Sequence, residues 1–302
     1  MLPLTLPFLT RYHSPLPSLI DRTAAFVRTA LAGNDASHDF AHIERVWALA
    51  RTLATSEGLA AAALGNVELA ALLHDIDDWK YSGSETAGVE AAEKFLAAEG
   101  VGAARVERIC YIIKRVSFHD ELGRSEEERR LQLADKELAC VQDADRLDAI
   151  GAVGIARTFT YGGKKMRKLY SDNDLAEGPK ALKAMRAADE AAAAAGAGVK
   201  SVVAGEAGAV AAGGEEAKDA GAGGAGGAGG AGATGGSLPQ IATKAEYGKG
   251  KTDASTTFHF HEKLFHLRGM MKTEAGRAVA EERHQFMATF LGRLYGECAG
   301  KV

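Results

Sequence analysis

The chain has 302 residues, 46% hydrophobic and 25% charged, with a formal net charge of −4. That balance is ordinary for a globular protein and gives no sign of the basic surface that nucleic acid or an acidic membrane would require. Cys110, Cys140 and Cys298 lie far apart without a Cys-x-x-Cys pair, and no apolar run reaches the ~18 residues of a membrane span, so a disulfide framework, a thiolate zinc site and a spanning helix are not expected.

Residues 1–17 are punctuated by Pro3, Pro7, Pro15 and Pro17 and read as an irregular N-terminal segment. The first twenty residues lack acids and carry Arg11 and His13. The reduced cysteines point to a cytoplasmic protein, with an organellar transit peptide as the alternative. The spacing of Leu19, Ile20, Ala24, Phe26 and Val27 predicts a helix over Ser18–Leu31, stopped by Gly33-Asn34-Asp35.

A second helix is expected from Ser37 or Asp39, either of which can cap it. Ile43, Val46, Trp47, Ala50 and Leu53 form its core stripe, and His38 and His42, four apart, share a face. A third helix, Leu64–Asp75, brings an apolar stripe of Leu69, Leu72, Leu73 and Ile76 up to His74 and Asp75. Asp77, Asp78 and Lys80 follow at once. A histidine and a carboxylate beside a core face must be paired or bound to metal. Side by side they are half of a site for a borderline divalent ion.

Helices over Thr86–Glu99 and Ala104–Arg115 come next, then a polar loop at Ser117–Asp120 and a charged stretch at Ser125–Arg130. The helix expected over Leu133–Ile150 holds Asp135, Asp143, Asp145 and Asp148. Asp145 and Asp148 share a face and are interleaved with apolar Ala144, Leu147 and Ile150, unlike solvated acids. Gly151-Ala-Val-Gly154 permits close helix packing, and Arg157 and Tyr161-Gly-Gly-Lys-Lys165 add positive charge.

Half of the 36 glycines fall between Gly196 and Gly250, and Gly221–Gly236 is nearly pure Gly and Ala. Such a stretch buries too little apolar surface to offset its ordering entropy. Residues of about 189–250 are therefore expected to be a disordered insertion within one domain spanning 18–298. Ala187–Ala195 can prolong a preceding helix. After the insertion, Phe258–Leu267 and Thr273–Glu297 read as helices. Hardly any segment alternates with period two, so the expected fold is all-α.

His42, His74-Asp75 and Asp145 occur in the order H…HD…D. With His38-Asp-x-x-His42-x-x-Arg-Val46, Ala70–Lys80 and Gln142–Ala152, this pattern resembles the HD superfamily of metal-dependent phosphohydrolases. Ile155-Ala-Arg157, His259-x-x-Glu-Lys-Leu264 and Arg283-His-x-Phe-Met287 extend the likeness to a branch of bacterial nucleotide pyrophosphatases. That branch lacks the Gly/Ala insertion. The resemblance implies a single helical HD domain with His42, His74, Asp75 and Asp145 as ligands of one divalent ion. A mixed N/O set suits Mn, Co, Ni, Fe or Mg. It also implies water attack on phosphorus assisted by Asp78, with Asp77 as competitor for that role.

Lys80 is the expected phosphate contact, against an ordinary surface lysine. His38 is expected to face substrate or support a ligand. Arg157 is expected either to bind phosphate or to pair with Asp148. The expected partner is a phosphorylated small molecule, a nucleotide, with no stable nucleic-acid partner and no membrane. Triphosphate cleavage to monophosphate and pyrophosphate is the leading activity. A 5′-nucleotidase-like phosphomonoesterase, a cyclic phosphodiesterase and a non-catalytic nucleotide-binding module are the alternatives.

Overall fold

The computed structural model describes residues 17–36, 38–76, 86–122, 124–194 and 255–301, and among these every regular element is helical. The expected all-α architecture is what the chain adopts. The N-terminal half contains α1 (Leu19–Ala30), α2 (Phe40–Ser56), α3 (Ala61–Leu73), α4 (Ala87–Ala98) and α5 (Ala103–Val116). Then come α6 (Phe118–Leu122), α7 (Glu126–Ala134), α8 (Lys136–Asp148), α9 (Gly151–Lys164) and α10 (Asp172–Ala194). The last elements are α11 (Phe258–Glu262), a 3₁₀ helix (Leu264–Met270) and α12 (Glu274–Cys298).

The helix starts follow local chemistry. Ser18 caps α1 in a reciprocal box with Asp21, and Asp39 caps α2 by accepting from the His42 amide at 3.2 Å. The second cap matters most, because it fixes the turn that carries His42.

The core is one cluster with α3 at its centre. Val67 and Leu69 to Leu73 are all buried, so the end of this helix is enclosed on every side rather than along one stripe. Around it pack α2, with Ile43, Val46, Ala50 and Leu53, and α8, with Leu138, Val141, Ala144 and Leu147. Ile109 and Ile112 of α5 close the other side. Truncating one such leucine to alanine costs about 2–5 kcal/mol, so the bundle holds the ends of α2, α3 and α8 firmly against one another. α12 packs on α8, α9 and α10 and completes the body.

Three expected elements differ in detail. The helix over Leu133–Ile150 is two helices that meet at Asp135, which leaves helical geometry (φ −88°, ψ 89°) and caps α8 through the Leu138 amide. Arg108 binds Asp135 and Glu137 across the bundle, and this fixes the break. The Ser117–Asp120 loop contains the short helix α6. The Phe258–Leu267 helix breaks at Lys263 (φ −134°, ψ −57°) into α11 and a 3₁₀ turn. The alanine-rich stretch does prolong a helix: α10 runs to Ala194, into the expected insertion boundary at about 189. Residues 195–254, which hold the rest of that insertion, and 1–16 lie outside the described residues. No helix among the described residues is long and apolar enough to cross a membrane.

Candidate metal centre

Three buried helix segments bring the site together. His42 projects from the first turn of α2, His74 terminates α3, and Asp145 lies in the last turn of α8. Because α2, α3 and α8 pack mutually, their ends converge. One ligand atom from each of His42, His74 and Asp145 lies within 4.8 Å of the other two. Asp145 Oδ1 is 3.6 Å from His42 Nε2 and 3.7 Å from His74 Nε2. Asp75 stands at the edge, its Oδ2 3.9 Å from His42 Nε2.

Each imidazole is oriented by its other nitrogen. His42 Nδ1 donates to Asp148 Oδ2 at 2.8 Å, and His74 Nδ1 donates to the Ala71 carbonyl at 2.8 Å. In the neutral form of each ring the lone pair therefore falls on Nε2, the atom that faces Asp145. His74 Nε2 is buried and has no hydrogen-bond partner among the described residues. The Nε2-to-carboxylate distances are too long for hydrogen bonds yet short enough for one ion to be shared. Converging donors of this kind, His74 Nε2 among them orphaned, fit a divalent cation.

The electrostatics agree. Burial, opposed by Asp148 and reinforced by the Arg157 and His74 charges, holds His42 below the usual imidazole range, in its neutral form. At His74 burial also favours the neutral ring, but Asp145 and Asp75 outweigh it and push the imidazole up to about 9. Burial would raise Asp145, yet the two histidines, with Lys263 nearby, hold it well below the usual carboxylate range. The field at His74 Nε2 thus favours positive charge, whether a proton or a metal ion supplies it.

Asp148, one turn after Asp145, is the second hub. Besides His42 it accepts from Arg45 Nε at 2.6 Å, Arg45 Nη2 at 3.1 Å and Arg157 Nη1 at 3.0 Å. Burial would raise its pKa, but His42, Arg45 and Arg157 bring it down to about 2. The sequence marked Asp148 as unusual and offered Arg157 as a partner, but gave no sign of its bonds to His42 and Arg45. Arg45 stood in the motif around His42 without a role; three residues after His42, it lies on the same side of α2 and binds Asp148.

Of the other residues expected in the site, Arg157 is paired with Asp148, which was one of its two expected roles. His38 lies outside the metal cluster, four residues before His42, with its ring 5.7 Å from that of Tyr161. Asp77, Asp78 and Lys80 lie outside the described residues. His259 is 3.5 Å from Glu262, and His261 bonds the Tyr295 hydroxyl at 3.0 Å; both are away from the cluster.

The fold and this centre define an all-α domain whose helix ends present a histidine–carboxylate cluster able to hold a metal ion. Residues 39–150, which include all four expected ligands, match the family model of the HD domain. The chain is 28% identical over 284 residues to the Bacillus subtilis protein YpgQ, described as uncharacterized, covering 93% of this chain and 94% of that one. A structure of B. subtilis YpgQ in complex with ADP superposes with a TM-score of 0.53 at 26% identity, covering 92% of this chain and 97% of that one. An HD-superfamily hydrolase from Bacillus thuringiensis gives a TM-score of 0.53 at 26% identity, over 93% and 97% of the two chains. A Lactobacillus plantarum protein shares the fold with a TM-score of 0.60 at 24% identity, over 93% and 97%.

Proposed function

We propose that the chain is a divalent-metal-dependent phosphohydrolase that cleaves nucleoside or deoxynucleoside triphosphates to monophosphate and pyrophosphate. The observation that carries this reading is the convergence of His42 Nε2, His74 Nε2 and Asp145 on one point within a buried bundle. A divalent ion held there supplies a water of lowered pKa and offsets phosphoryl charge. Three near ligands with Asp75 at the edge form a mixed N/O set suited to Mn, Co, Ni, Fe or Mg. The ADP complex of B. subtilis YpgQ supports a nucleotide as the ligand class.

In this reading His42, His74, Asp75 and Asp145 hold the ion. Asp148 keeps the His42 tautomer and ring plane fixed through its Nδ1 hydrogen bond. Arg45 and Arg157 keep Asp148 ionised, and Arg157 adds positive potential on the approach to the centre. Asp78, three residues beyond Asp75, takes the proton of the attacking water, with Asp77 as the competing candidate, and Lys80 contacts phosphate. The substrate is a small molecule, and the cytoplasm is the expected location.

The test is hydrolysis by metal-stripped protein of a panel of dNTPs, NTPs, dNMPs and cyclic nucleotides, with Mn, Co, Ni or Mg restored. Metal-dependent pyrophosphate release, lost in Asp75→Ala, is the expected outcome. Phosphate release from monophosphates alone would replace the reading with a phosphomonoesterase.

A further inference from the structure

Tyr161-Gly-Gly-Lys-Lys165 has no part in the metal centre, yet the fold builds it into a second tier beside that centre. The inner tier is His42–Asp148–Arg157, joined by hydrogen bonds of 2.8 and 3.0 Å. Four residues before His42 stands His38, and four residues after Arg157 stands Tyr161. These two rings meet with centroids 5.7 Å apart. Along α9 the step from Arg157 to Tyr161 is about 6 Å, on the same helical face. The two tiers run outward from the Nδ1 edge of His42, whose Nε2 edge faces Asp145.

The outer tier is basic and shaped. Lys165 Nζ lies 5.6 Å and the Arg167 guanidinium 5.5 Å from the centre of the Tyr161 ring. Neither cation has a carboxylate partner among the described residues, unlike Lys164, which binds Asp35 at 2.6 Å. The Lys164 pair ties the end of α9 to the turn that presents His38, whose amide donates to the Asp35 carbonyl. Met166 is the one non-glycine among the described residues in the left-handed region (φ 53°). Its turn, closed by Met166 N to Gly163 O and Arg167 N to Gly162 O, reverses the chain so that residues on both sides of it flank Tyr161. A disfavoured backbone held by surrounding hydrogen bonds is a common feature of ligand sites.

We propose that Lys165, Arg167 and the Tyr161 hydroxyl, with His38 on the inner side, form an anion subsite for the phosphates of the substrate beyond the one at the metal centre. Two cations and a hydroxyl suit a diphosphate group, the pyrophosphate portion of a triphosphate. The proposal deepens the nucleotide-hydrolysis reading and rests on it for the identity of the substrate, while the subsite itself is measurable without turnover.

The experiment uses inorganic tripolyphosphate as the probe, titrated calorimetrically into the full chain. Its partners are a Lys165→Met/Arg167→Met double variant and a control double variant, Lys180→Met/Arg293→Met. The control removes two cations from exposed surface ion pairs elsewhere. The patch variant should bind tripolyphosphate at least about tenfold more weakly than wild type, with a matching rise in KM for triphosphate, because charged hydrogen bonds of this kind each account for about that much. The control should bind as wild type does. Unchanged binding in the patch variant, equal loss in both variants, or no wild-type binding overturns the subsite. If no nucleotide is turned over but the selective loss of tripolyphosphate affinity is seen, the subsite stands and the hydrolysis reading falls. Turnover with tripolyphosphate binding unchanged in the patch variant keeps the hydrolysis reading and removes the subsite.

Discussion

Two faces of α8 carry acids, Asp143 and Asp145, and they are built to opposite ends. On one face Asp143, fully buried, accepts from the Lys272 amide at 2.9 Å, the Thr273 amide at 2.7 Å and the Thr273 hydroxyl at 2.8 Å. Gly276 lets the start of α12 come this close, since a Cβ there would lie 2.6 Å from Asp143 Oδ2. On the same side Arg146 is paired with Glu121, which also binds Lys272 Nζ at 3.0 Å, and Arg146 Nη1 donates to the Met270 carbonyl at 2.9 Å. On the other face Asp145 meets two imidazole nitrogens at 3.6 and 3.7 Å, one of them buried and without a hydrogen-bond partner. A carboxylate saturated by protein donors holds a fold together. A carboxylate that converges with orphaned donors is prepared for a ligand.

This division of labour fails if the two acids exchange roles on substitution. Asp145→Ala should have the greatest consequence. Loss of a metal ligand should remove several kcal/mol of transition-state stabilisation, about three orders of magnitude in kcat/KM, while the metal-free protein stays folded. Steady-state kinetics beside a thermal melt check both halves. For Asp143→Ala the pattern reverses. Three buried donors lose their acceptor, which should cost about 3–5 kcal/mol in urea unfolding whether or not metal is present.

Asp148→Asn refines the contrast because it acts through His42. Metal affinity, read by competition with a chelator, should fall about 10–100-fold. The same variant tests a pH dependence in metal-free protein. Asp148 is depressed from 3.8 to about 2 in the fold, so its contribution is present above the unfolded value and is lost as pH falls from about 4 to 2. The wild type should therefore lose about 2 kcal/mol across that window from this group, and Asp148→Asn should lack that component. A wild-type and variant difference that is flat from pH 5 to 2 would show that Asp148 does not carry the charge assigned to it.

A milder change is expected at the α8–α9 junction. Gly151 adopts φ +75°, and a Cβ on Gly154 would lie 2.2 Å from the Ala149 carbonyl oxygen. Gly154→Ala should destabilise by about 1–3 kcal/mol and shift Arg157 away from Asp148, lowering metal affinity less than Asp148→Asn does. Urea unfolding and the same chelator competition read the two effects separately.

The sequence made the helices legible wherever one face alone is buried, as in α2 and α5. The end of α3, buried on all sides, shows only part of its burial as a stripe. The breaks at Asp135 and Lys263 are set by partners distant in the chain, Arg108 among them, and no local spacing announces them. His42, His74 and Asp145 were readable because residue type and order carry the resemblance. Asp143 and Asp145 are two apart on the same helix and chemically identical. The resemblance singled out Asp145, but the structural part of Asp143 appears only with the arrival of Lys272 and Thr273, some 130 residues later. Arg157 was left between two roles for the same reason, and its 3.0 Å contact with Asp148 appears only once α9 folds back across α8.

Whether one metal at this centre performs the chemistry can be read from a titration of metal-stripped protein with Mn, following pyrophosphate released from a deoxynucleoside triphosphate as a function of metal equivalents. One centre built from His42, His74 and Asp145 predicts release that starts from zero and saturates at one equivalent per chain. Release by the stripped protein, or a rise that continues to a second equivalent, would contradict a single catalytic metal at this site.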